Sequence, residues 1–218
     1  MTEAEMTSAR AMMVDCQIRP FDVTDQAVIA AFLDVPREAF APLALGAIAY
    51  ADCAVRARGA PDRMLAAPMI LARLLQGADI QPGESVLDVA GGSFFTAALA
   101  ARLGGKVVAL EAPGSTGDRA GLAAHGAGVE VVAGPIEAGW PKGAPYDCIL
   151  VNGGLELRPD ALLAQLKDGG RLLCCDMSSG TPRLMRFERN GAGFGASVIC
   201  GGSIAPLAEF RRVQGFVF

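Results

Sequence analysis

The segment Val86–Glu111 reads VLDVAGGSFFTAALAARLGGKVVALE and decides the fold of this chain. A short apolar run is followed by Gly91 and Gly92, by an alanine-rich stretch of helical character, and by a second apolar run that ends in Glu111. This order predicts a strand, a glycine turn, a helix and a second strand. It is typical of a nucleotide-binding turn, although Phe94 stands where a third glycine is expected. Whether such a pocket still binds a ligand depends on Phe94 and its neighbours.

Apolar runs and helical stretches alternate from Gly83 onward, which predicts a parallel sheet with helices on both faces. The runs after the first strand are KVVALE, VEVVAG, YDCILVN and GRLLCCDM. Asn190 and Gly191 separate two further strand-like runs, and Asn-Gly is a strong signal for an antiparallel hairpin. The last residues, Arg211–Phe218, predict one more strand. The predicted fold class is therefore α/β.

The N-terminal part shows helical patterns with irregular connections instead of this alternation. A first helix is predicted over residues 2–18, and a second begins after Thr24 as its N-cap and ends before Pro36. The segment Arg56–Arg63, RARGAPDR, predicts a loop, and MLAAPMILARLLQGA predicts a third helix. The chain is therefore divided into an N-terminal helical extension and an α/β domain, residues 1–80 and 81–218.

Composition excludes several classes of protein. With 52% hydrophobic and 19% charged residues, the chain is globular and not disordered. A net charge of −4 without a run of lysine or arginine disfavours a nucleic-acid or anionic-membrane partner. The start, MTEAEMTSAR, lacks the pattern of an export signal, and the long uncharged run near the N-terminus is broken by Pro42 and Gly46. We therefore expect a cytoplasmic protein without a membrane span.

The cysteines and the single histidine do not predict a reactive or metal site. The chain has six cysteines without a CxxC pair, and His125 is its one histidine. The chain therefore has too few histidines for a typical Cys/His metal site, and only His125 could activate a serine or cysteine nucleophile. Cys148, Cys174 and Cys175 lie in strand-like runs, so we expect them to be reduced and packed in the core.

Five stretches carry a resemblance to one known family. They are VPREAF with the following AYAD (Val35–Asp52), AAPMILARLL, VLDVAGG, GWPKGAPYDCILV (Gly139–Val151) and LLAQLKDGGRL (Leu162–Leu172). The glycine turn alone is generic, whereas the last two stretches together are fairly specific. Over nearly its whole length the chain resembles the protein-L-isoaspartate O-methyltransferases, which use S-adenosylmethionine. The resemblance implies a Rossmann-like methyltransferase sandwich, with a mainly parallel seven-stranded sheet and a C-terminal antiparallel hairpin.

The resemblance also implies a site. S-adenosylmethionine would lie across the carboxyl ends of the strands, and the substrate would be a carboxylate of a protein or peptide. Glu111 would accept hydrogen bonds from the two ribose hydroxyls, because a carboxylate offers two acceptors to a diol. Asp88 would hold the turn or the amino group of the cofactor. The other implied cofactor-binding positions are Ala90, Gly91, Gly92, Ser93, Phe94, Gly134 and Asn152.

Three positions depart from the family pattern. The G-x-G-x-G turn reads Ala90 to Phe94 here and keeps the middle glycine, so Phe94 would cost of order 1 kcal/mol or more if its φ is positive. Pro135 replaces the family's acid after the third strand, with Glu137 nearby, and Ala66 replaces the hydroxyl residue near the substrate carboxylate. No catalytic residue is assigned, and weakened activity is expected. Phe94 is expected beside the methionine part of the cofactor, with its ring in the cleft or in the core.

Three hypotheses follow from these observations. The chain is an isoaspartyl methyltransferase, as its near full-length resemblance and Glu111 suggest. Alternatively, it is a non-catalytic descendant that binds a partner or another small ligand, as Phe94, Pro135 and Ala66 suggest. In the third hypothesis it is a methyltransferase with a changed substrate, because the arginines of the Arg56–Arg63 segment suit an anionic molecule.

Overall fold

A computed structural model describes residues 2–115 and 119–212 of the chain. The α-helices of this part are α1 (Glu3–Met13), α2 (Gln26–Asp34), α3 (Pro68–Ala78), α4 (Phe95–Arg102), α5 (Ala120–His125) and α6 (Asp160–Leu163). The strands are β1 (Val55–Ala57), β2 (Ala60–Leu65), β3 (Ser85–Val89), β4 (Lys106–Glu111), β5 (Glu130–Ala133), β6 (Tyr146–Leu155), β7 (Leu166–Asp176), β8 (Arg183–Asn190) and β9 (Gly193–Gly201). One π-helical turn spans Val14–Ile18, and 3₁₀ turns span Arg19–Phe21, Arg37–Ala39, Leu43–Tyr50, Ile136–Ala138, Pro141–Gly143 and Ala208–Phe210.

A seven-stranded sheet forms the centre, in the order β5-β4-β3-β6-β7-β8-β9. Strands β3 to β7 are parallel, and β8 is antiparallel to both of its neighbours. The predicted α/β class and the hairpin at Asn190 and Gly191 are confirmed, and β3 lies at the centre of the sheet between β4 and β6. The strand predicted at Arg211–Phe218 lies mostly outside the described residues, and Arg211 and Arg212 are not in a strand.

Helices and loops cover the two faces of the sheet with separate apolar layers. Alternate residues of β3 point to opposite faces, so that Val86 packs in a layer with residues of α1 to α4, whereas Leu87 packs in a layer with residues of α6 and with Leu207 and Phe210. The first layer contains buried residues from both predicted regions, 1–80 and 81–218. Cys148 and Cys175 lie in the first layer and Cys174 in the second, as expected for packed thiols.

Two predictions about the N-terminal part are wrong. Asp25, and not Thr24, caps α2, because its Oδ1 accepts hydrogen bonds from Ala27 N and Val28 N at 2.8 and 3.3 Å. The backbone N–H of Thr24 instead donates to Gln76 Oε1. The segment Arg56–Arg63 is not a loop, since β1 and β2 pair there as an antiparallel hairpin.

The hairpin is explained by its burial pattern. Val55, Ala57 and Ala60 are buried, whereas Arg56 is exposed, which is the alternation of a strand with one packed face. Gly59 has φ +73° and supplies the turn. With three arginines and Gly59-Ala60-Pro61 in its sequence, the segment gave a stronger turn signal than a strand signal.

The other predicted helices of the N-terminal part are present with slightly different bounds. The predicted third helix starts at Met64, whereas α3 starts at Pro68. The helix predicted over residues 2–18 is α-helical as far as Met13 and continues to Ile18 as the π-helical turn. Within residues 2–115 and 119–212, no helix has the length and apolar character needed to cross a membrane.

Candidate active site

The turn between β3 and α4 takes left-handed backbone at three alternate residues. The φ angle is +59° at Ala90, +73° at Gly92 and +70° at Phe94. Glycine adopts this conformation without a steric penalty, whereas Ala90 and Phe94 each carry strain on the order of 1 kcal/mol. These are the positions where the resemblance implies three glycines, so the backbone has kept the shape of the turn although two glycines are missing. The backbone cost that the sequence analysis attached to a positive φ at Phe94 therefore applies.

The ring of Phe94 lies in the core. Its side chain is 1% exposed and packs in the same apolar layer as Phe95 and the N-terminal helices. Of the two orientations expected from the sequence, the inward one is therefore observed. Its burial offsets the backbone strain, because burying a large apolar side chain contributes about 2–3 kcal/mol.

Glu111 ends β4 with its carboxyl group directed at the glycine turn. Its Oε1 accepts a hydrogen bond from Gly92 N at 2.6 Å. Its Oε2 is buried and has no hydrogen-bond partner, and the residue is 2% exposed. A buried carboxylate oxygen without a partner is costly, so Oε2 is an acceptor available to a ligand that supplies a donor.

Asp88 is the second buried carboxyl group of the site. Its Oδ1 accepts a hydrogen bond from Asn152 Nδ2 at 2.6 Å, whereas its Oδ2 has no partner. An added Cβ on Gly91 would lie 2.8 Å from this oxygen, so the absence of a side chain at Gly91 keeps the space around it open. Thr96 Oγ1 in turn donates to Asn152 Oδ1 at 2.5 Å, which fixes the orientation of the amide.

These groups meet where the strand order changes direction. Strands β4 and β6 flank β3 on opposite sides, and ligands of open α/β sheets bind outside the carboxyl ends of the strands at such a point. Asp88, Ala90, Gly91, Gly92, Ser93, Glu111 and Asn152 lie together there. Ser93 is fully buried, and its hydroxyl oxygen also lacks a partner.

Burial raises the pKa of both carboxyl groups. The pKa of Glu111 rises to about 7, although the hydrogen bond from Gly92 and the charge of Arg63 lower it, and the charge of Glu209 adds to the rise. The pKa of Asp88 also rises to about 7 through burial, with the hydrogen bond from Asn152 opposing and the charge of Glu111 adding to it. A cationic ligand with hydroxyl or amino donors would favour the ionised form of both groups.

The hairpin of β1 and β2 covers the glycine turn. An added Cβ on Gly92 would lie 2.5 Å from Arg63 Cβ and 3.0 Å from Ala57 Cβ. The N-terminal helix α2 packs on α3 and α4. Beside the covered turn lies a cavity of about 500 Å³, bounded by residues 59–63, by residues 112–115 after β4, and by Ala208 and Glu209.

The remaining positions lie at the margin of the site. Gly134, after β5, donates its backbone N–H to Glu111 O at 3.0 Å and is one strand further out. Pro135 follows it with no acceptor side chain, and Glu137 is exposed in the turn Ile136–Ala138. Ala66 is 8% exposed and packs in the apolar layer directly after β2.

Two polar residues of the site, Thr96 and Glu209, were not predicted from the sequence, whereas Arg63 belongs to the Arg56–Arg63 segment that was expected to suit an anionic molecule. Thr96 lies in the first turn of the helix that follows the glycine turn, and this position next to the turn could have indicated that it belongs to the site. Arg63 and Glu209 form an ion pair at 2.5 Å over a sequence separation of 146 residues, for which the sequence contains no signal. Among the described residues no group of three histidine, cysteine or acidic side chains is arranged to hold a metal ion.

Comparisons with known proteins agree with this architecture. Residues 8–200 match the family model described as protein-L-isoaspartate(D-aspartate) O-methyltransferase. A protein-L-isoaspartate O-methyltransferase of Methylorubrum extorquens is 38% identical over 189 residues, which cover 86% of this chain and 82% of that protein. One of Herpetosiphon aurantiacus is 33% identical over 201 residues, which cover 91% of this chain and 89% of that protein.

Solved structures show the same fold at lower identity. A protein-L-isoaspartate O-methyltransferase structure matches with a TM-score of 0.77 and 23% identity, over 91% of this chain and 66% of that one. A Plasmodium falciparum structure, described as a candidate enzyme of this type in complex with S-adenosyl-L-homocysteine, matches with a TM-score of 0.74 and 17% identity, over 94% and 98% of the two chains. With the family model matching most of its length, this chain belongs to the protein-L-isoaspartate O-methyltransferase family.

Proposed function

We propose that this protein transfers the methyl group of S-adenosylmethionine to a carboxylate of a protein substrate that contains isoaspartate. Family membership supports the reaction class. The observation that carries the proposal for this chain is the carboxyl group of Glu111, which has one oxygen tied to the glycine turn and the other buried without a partner. A ribose diol beside the turn would supply the missing donor.

The buried groups of the site fit the cofactor. Glu111 Oε2 would accept from the ribose, and Asp88 Oδ2 would accept from the amino group of the methionine part or hold the turn in place. The absence of a side chain at Gly91 leaves Asp88 Oδ2 accessible to the ligand, and Ala112 and Pro113 bound the adjoining cavity, where the adenine would lie. Bound there, S-adenosylmethionine supplies a methyl group on a positively charged sulfur.

The protein's own contribution to transfer is positioning. A carboxylate acceptor is ionised at neutral pH, so its oxygen attacks the methyl carbon without prior loss of a proton. With the cofactor held by Glu111 and Asp88, the new carbon–oxygen bond would form as the carbon–sulfur bond breaks, and the electron pair of that bond would stay on sulfur. Positioning of two reactants in line accounts for most of the rate of such a step.

We further propose that this protein turns over substrate more slowly than a family member that keeps the family residue at all three altered positions. Ala66 offers no hydroxyl to the acceptor, Pro135 offers no acceptor to the adenine, and Phe94 strains the turn. One lost hydrogen bond to a neutral group costs about 1 kcal/mol, but a displacement of about 1 Å in the reacting geometry can cost a hundredfold in rate. The three changes act on one bound geometry and therefore reinforce one another.

Cofactor binding is tested first, by thermal unfolding with S-adenosylmethionine and with S-adenosylhomocysteine. A ligand at a hundred times its dissociation constant stabilises the fold by about 2.7 kcal/mol. We expect stabilisation of wild type and its loss in Glu111→Gln, with Glu137→Gln as the control because that carboxylate is exposed nearby. Absence of any shift would favour the non-catalytic descendant.

Transfer is tested with a radiolabelled methyl group and an isoaspartyl peptide. We expect weak but measurable labelling that disappears in Glu111→Gln and persists in Glu137→Gln. Cofactor binding without labelling of the isoaspartyl peptide would favour the methyltransferase with a changed substrate.

A further inference from the structure

Arg63 is the one cationic side chain among the described residues that bound the cavity beside the glycine turn. It lies on β2, its Cβ faces Gly92, and its side chain is 11% exposed. The other arginine of β1 and β2, Arg56, is exposed and donates to Pro61 O within the hairpin. A guanidinium held so far from water is suited to a specific anionic partner, because its fork of donors matches the two oxygens of a carboxylate.

Glu209 is the present partner of that guanidinium. Arg63 NH2 donates to Glu209 Oε1 at 2.5 Å, and Arg63 NH1 donates to Glu209 Oε2 at 3.3 Å. Glu209 is in the turn Ala208–Phe210, so the pair connects the hairpin to the C-terminal segment across the mouth of the cavity. The Glu209 side chain is 22% exposed, so water can solvate it if Arg63 changes partner.

The ion pair lies on the side of the turn where a substrate would approach the cofactor. Ala66 directly follows β2 and has no polar side-chain atom to hold an acceptor carboxylate. Arg63 lies on β2, three residues before Ala66 in the chain, beside the turn against which the methionine part of the cofactor would lie. A carboxylate paired with Arg63 would be held next to the transferred methyl group, as an in-line displacement requires.

We infer that Arg63 is the residue that binds the acceptor carboxylate of the substrate, and that Glu209 occupies its guanidinium until the acceptor displaces it. This inference rests on the proposed function and adds the residue that selects the acceptor. Arg63 acts here as a specificity-determining residue, since it exchanges one carboxylate partner for another and transfers no proton. The ion pair also holds the hairpin against the C-terminal segment, but this structural role alone would not discriminate between charged and neutral acceptors.

The test measures peptide binding by calorimetry with the full chain. The first peptide contains an internal isoaspartyl residue with its free α-carboxylate, and the second is identical except that this group is a carboxamide. Both are titrated with and without saturating S-adenosylhomocysteine, into wild type, Arg63→Gln, Arg63→Lys, Glu209→Gln and the control Arg56→Gln. The affinity for S-adenosylhomocysteine and the melting temperature are measured for each variant.

We expect wild type and Arg56→Gln to prefer the carboxylate peptide by about ten- to a hundredfold, the range for a hydrogen bond to a charged group. Arg63→Gln should lose this preference, with a much smaller loss of affinity for S-adenosylhomocysteine, and Arg63→Lys should keep part of the preference because it retains the charge without the fork. Glu209→Gln should bind the carboxylate peptide more tightly, since the competing charge is gone.

The inference is overturned if wild type does not discriminate between the two peptides, or if Arg63→Gln discriminates as well as wild type. Equal losses in peptide and S-adenosylhomocysteine affinity in Arg63→Gln would also overturn it, because they would assign Arg63 to hairpin placement. Failure of the proposed function has a different signature: carboxylate-selective peptide binding that depends on Arg63, without S-adenosylhomocysteine binding or methyl transfer.

Discussion

Phe94 combines an unfavourable backbone with a favourable side-chain environment, and the two effects can be separated by substitution. Phe94→Ala should lower the free energy of unfolding by about 3–5 kcal/mol, because it leaves a cavity in the core and keeps the strained φ. Phe94→Gly leaves the same cavity but relieves a φ of +70°, so it should be less destabilising than alanine by about 1 kcal/mol. Denaturant unfolding of both variants checks this order, and a glycine variant no better than alanine would show that position 94 is unstrained.

The two buried carboxyl groups give the ligand-free protein a pH dependence. The pKa of Glu111 rises from 4.5 to about 7, and that of Asp88 from 3.8 to about 7. A group with a higher pKa in the fold binds its proton more tightly there, so its contribution to stability is present below the unfolded pKa and is lost as the pH rises to about 7. Glu111→Gln should make this decline shallower and should exceed wild type in stability above pH of about 7.

Unfolding by urea across this pH range measures the effect. Glu137→Gln is the control, since its carboxyl group is exposed. A decline that is equally steep in wild type and Glu111→Gln would mean that Glu111 is not desolvated in the ligand-free protein.

At the scale of elements, the hairpin of β1 and β2 requires a glycine beneath it. Gly92→Ala would add both a Cβ at a φ of +73° and a collision with Arg63 Cβ, whereas Gly83→Ala adds a Cβ at a φ of +88° in open space. We expect about 1 kcal/mol of destabilisation for Gly83→Ala and a further 1–3 kcal/mol for Gly92→Ala, since the hairpin must move. Affinity for S-adenosylhomocysteine should fall only in Gly92→Ala. Equal effects of the two substitutions on stability and affinity would contradict close packing of the hairpin on the turn.

At the scale of the whole molecule, Arg171 connects the two predicted regions. From β7 it donates to Ala78 O and Asp79 O at the end of α3, and to both carboxylate oxygens of Glu84 before β3. The Arg171 side chain is 7% exposed. Arg171→Met should leave the half-buried carboxylate of Glu84 without its ion-pair partner, and should lower the free energy of unfolding by about 3–5 kcal/mol. Arg102→Gln, which breaks the exposed pair with Asp34, should cost about 1 kcal/mol or less.

Circular dichroism and the fluorescence of Trp140, followed through urea unfolding, check both substitutions. If residues 1–80 and 81–218 unfold as one unit, the two signals should change together in wild type. A transition of Arg171→Met that coincides with that of Arg102→Gln would show that the connection does not stabilise the fold.

The sequence by itself determined the sheet and the composition of the glycine turn. Apolar runs that alternate with helical stretches specify parallel strands, because each strand must be buried on both faces, and Asn190-Gly191 specifies the hairpin at the edge. The place of Glu111 at the end of the second strand was predicted from the sequence, and its role as a ligand-binding carboxylate was implied by the family resemblance.

Only the tertiary structure decided what covers that turn and which groups lack partners. The hairpin at residues 55–65 could not be predicted from the sequence. Short strands are stabilised mainly by the residues they pack on, here the glycine turn, and the local sequence pattern contains little information about that packing. The direction of the Phe94 ring depends on how the core packs around it. The pairing of Arg63 with Glu209 joins residues that are 146 positions apart, and no local sequence pattern predicts such a contact. The polar atoms of Asp88 and Glu111 that remain without partners are likewise a property of the folded chain, since burial alone makes them costly.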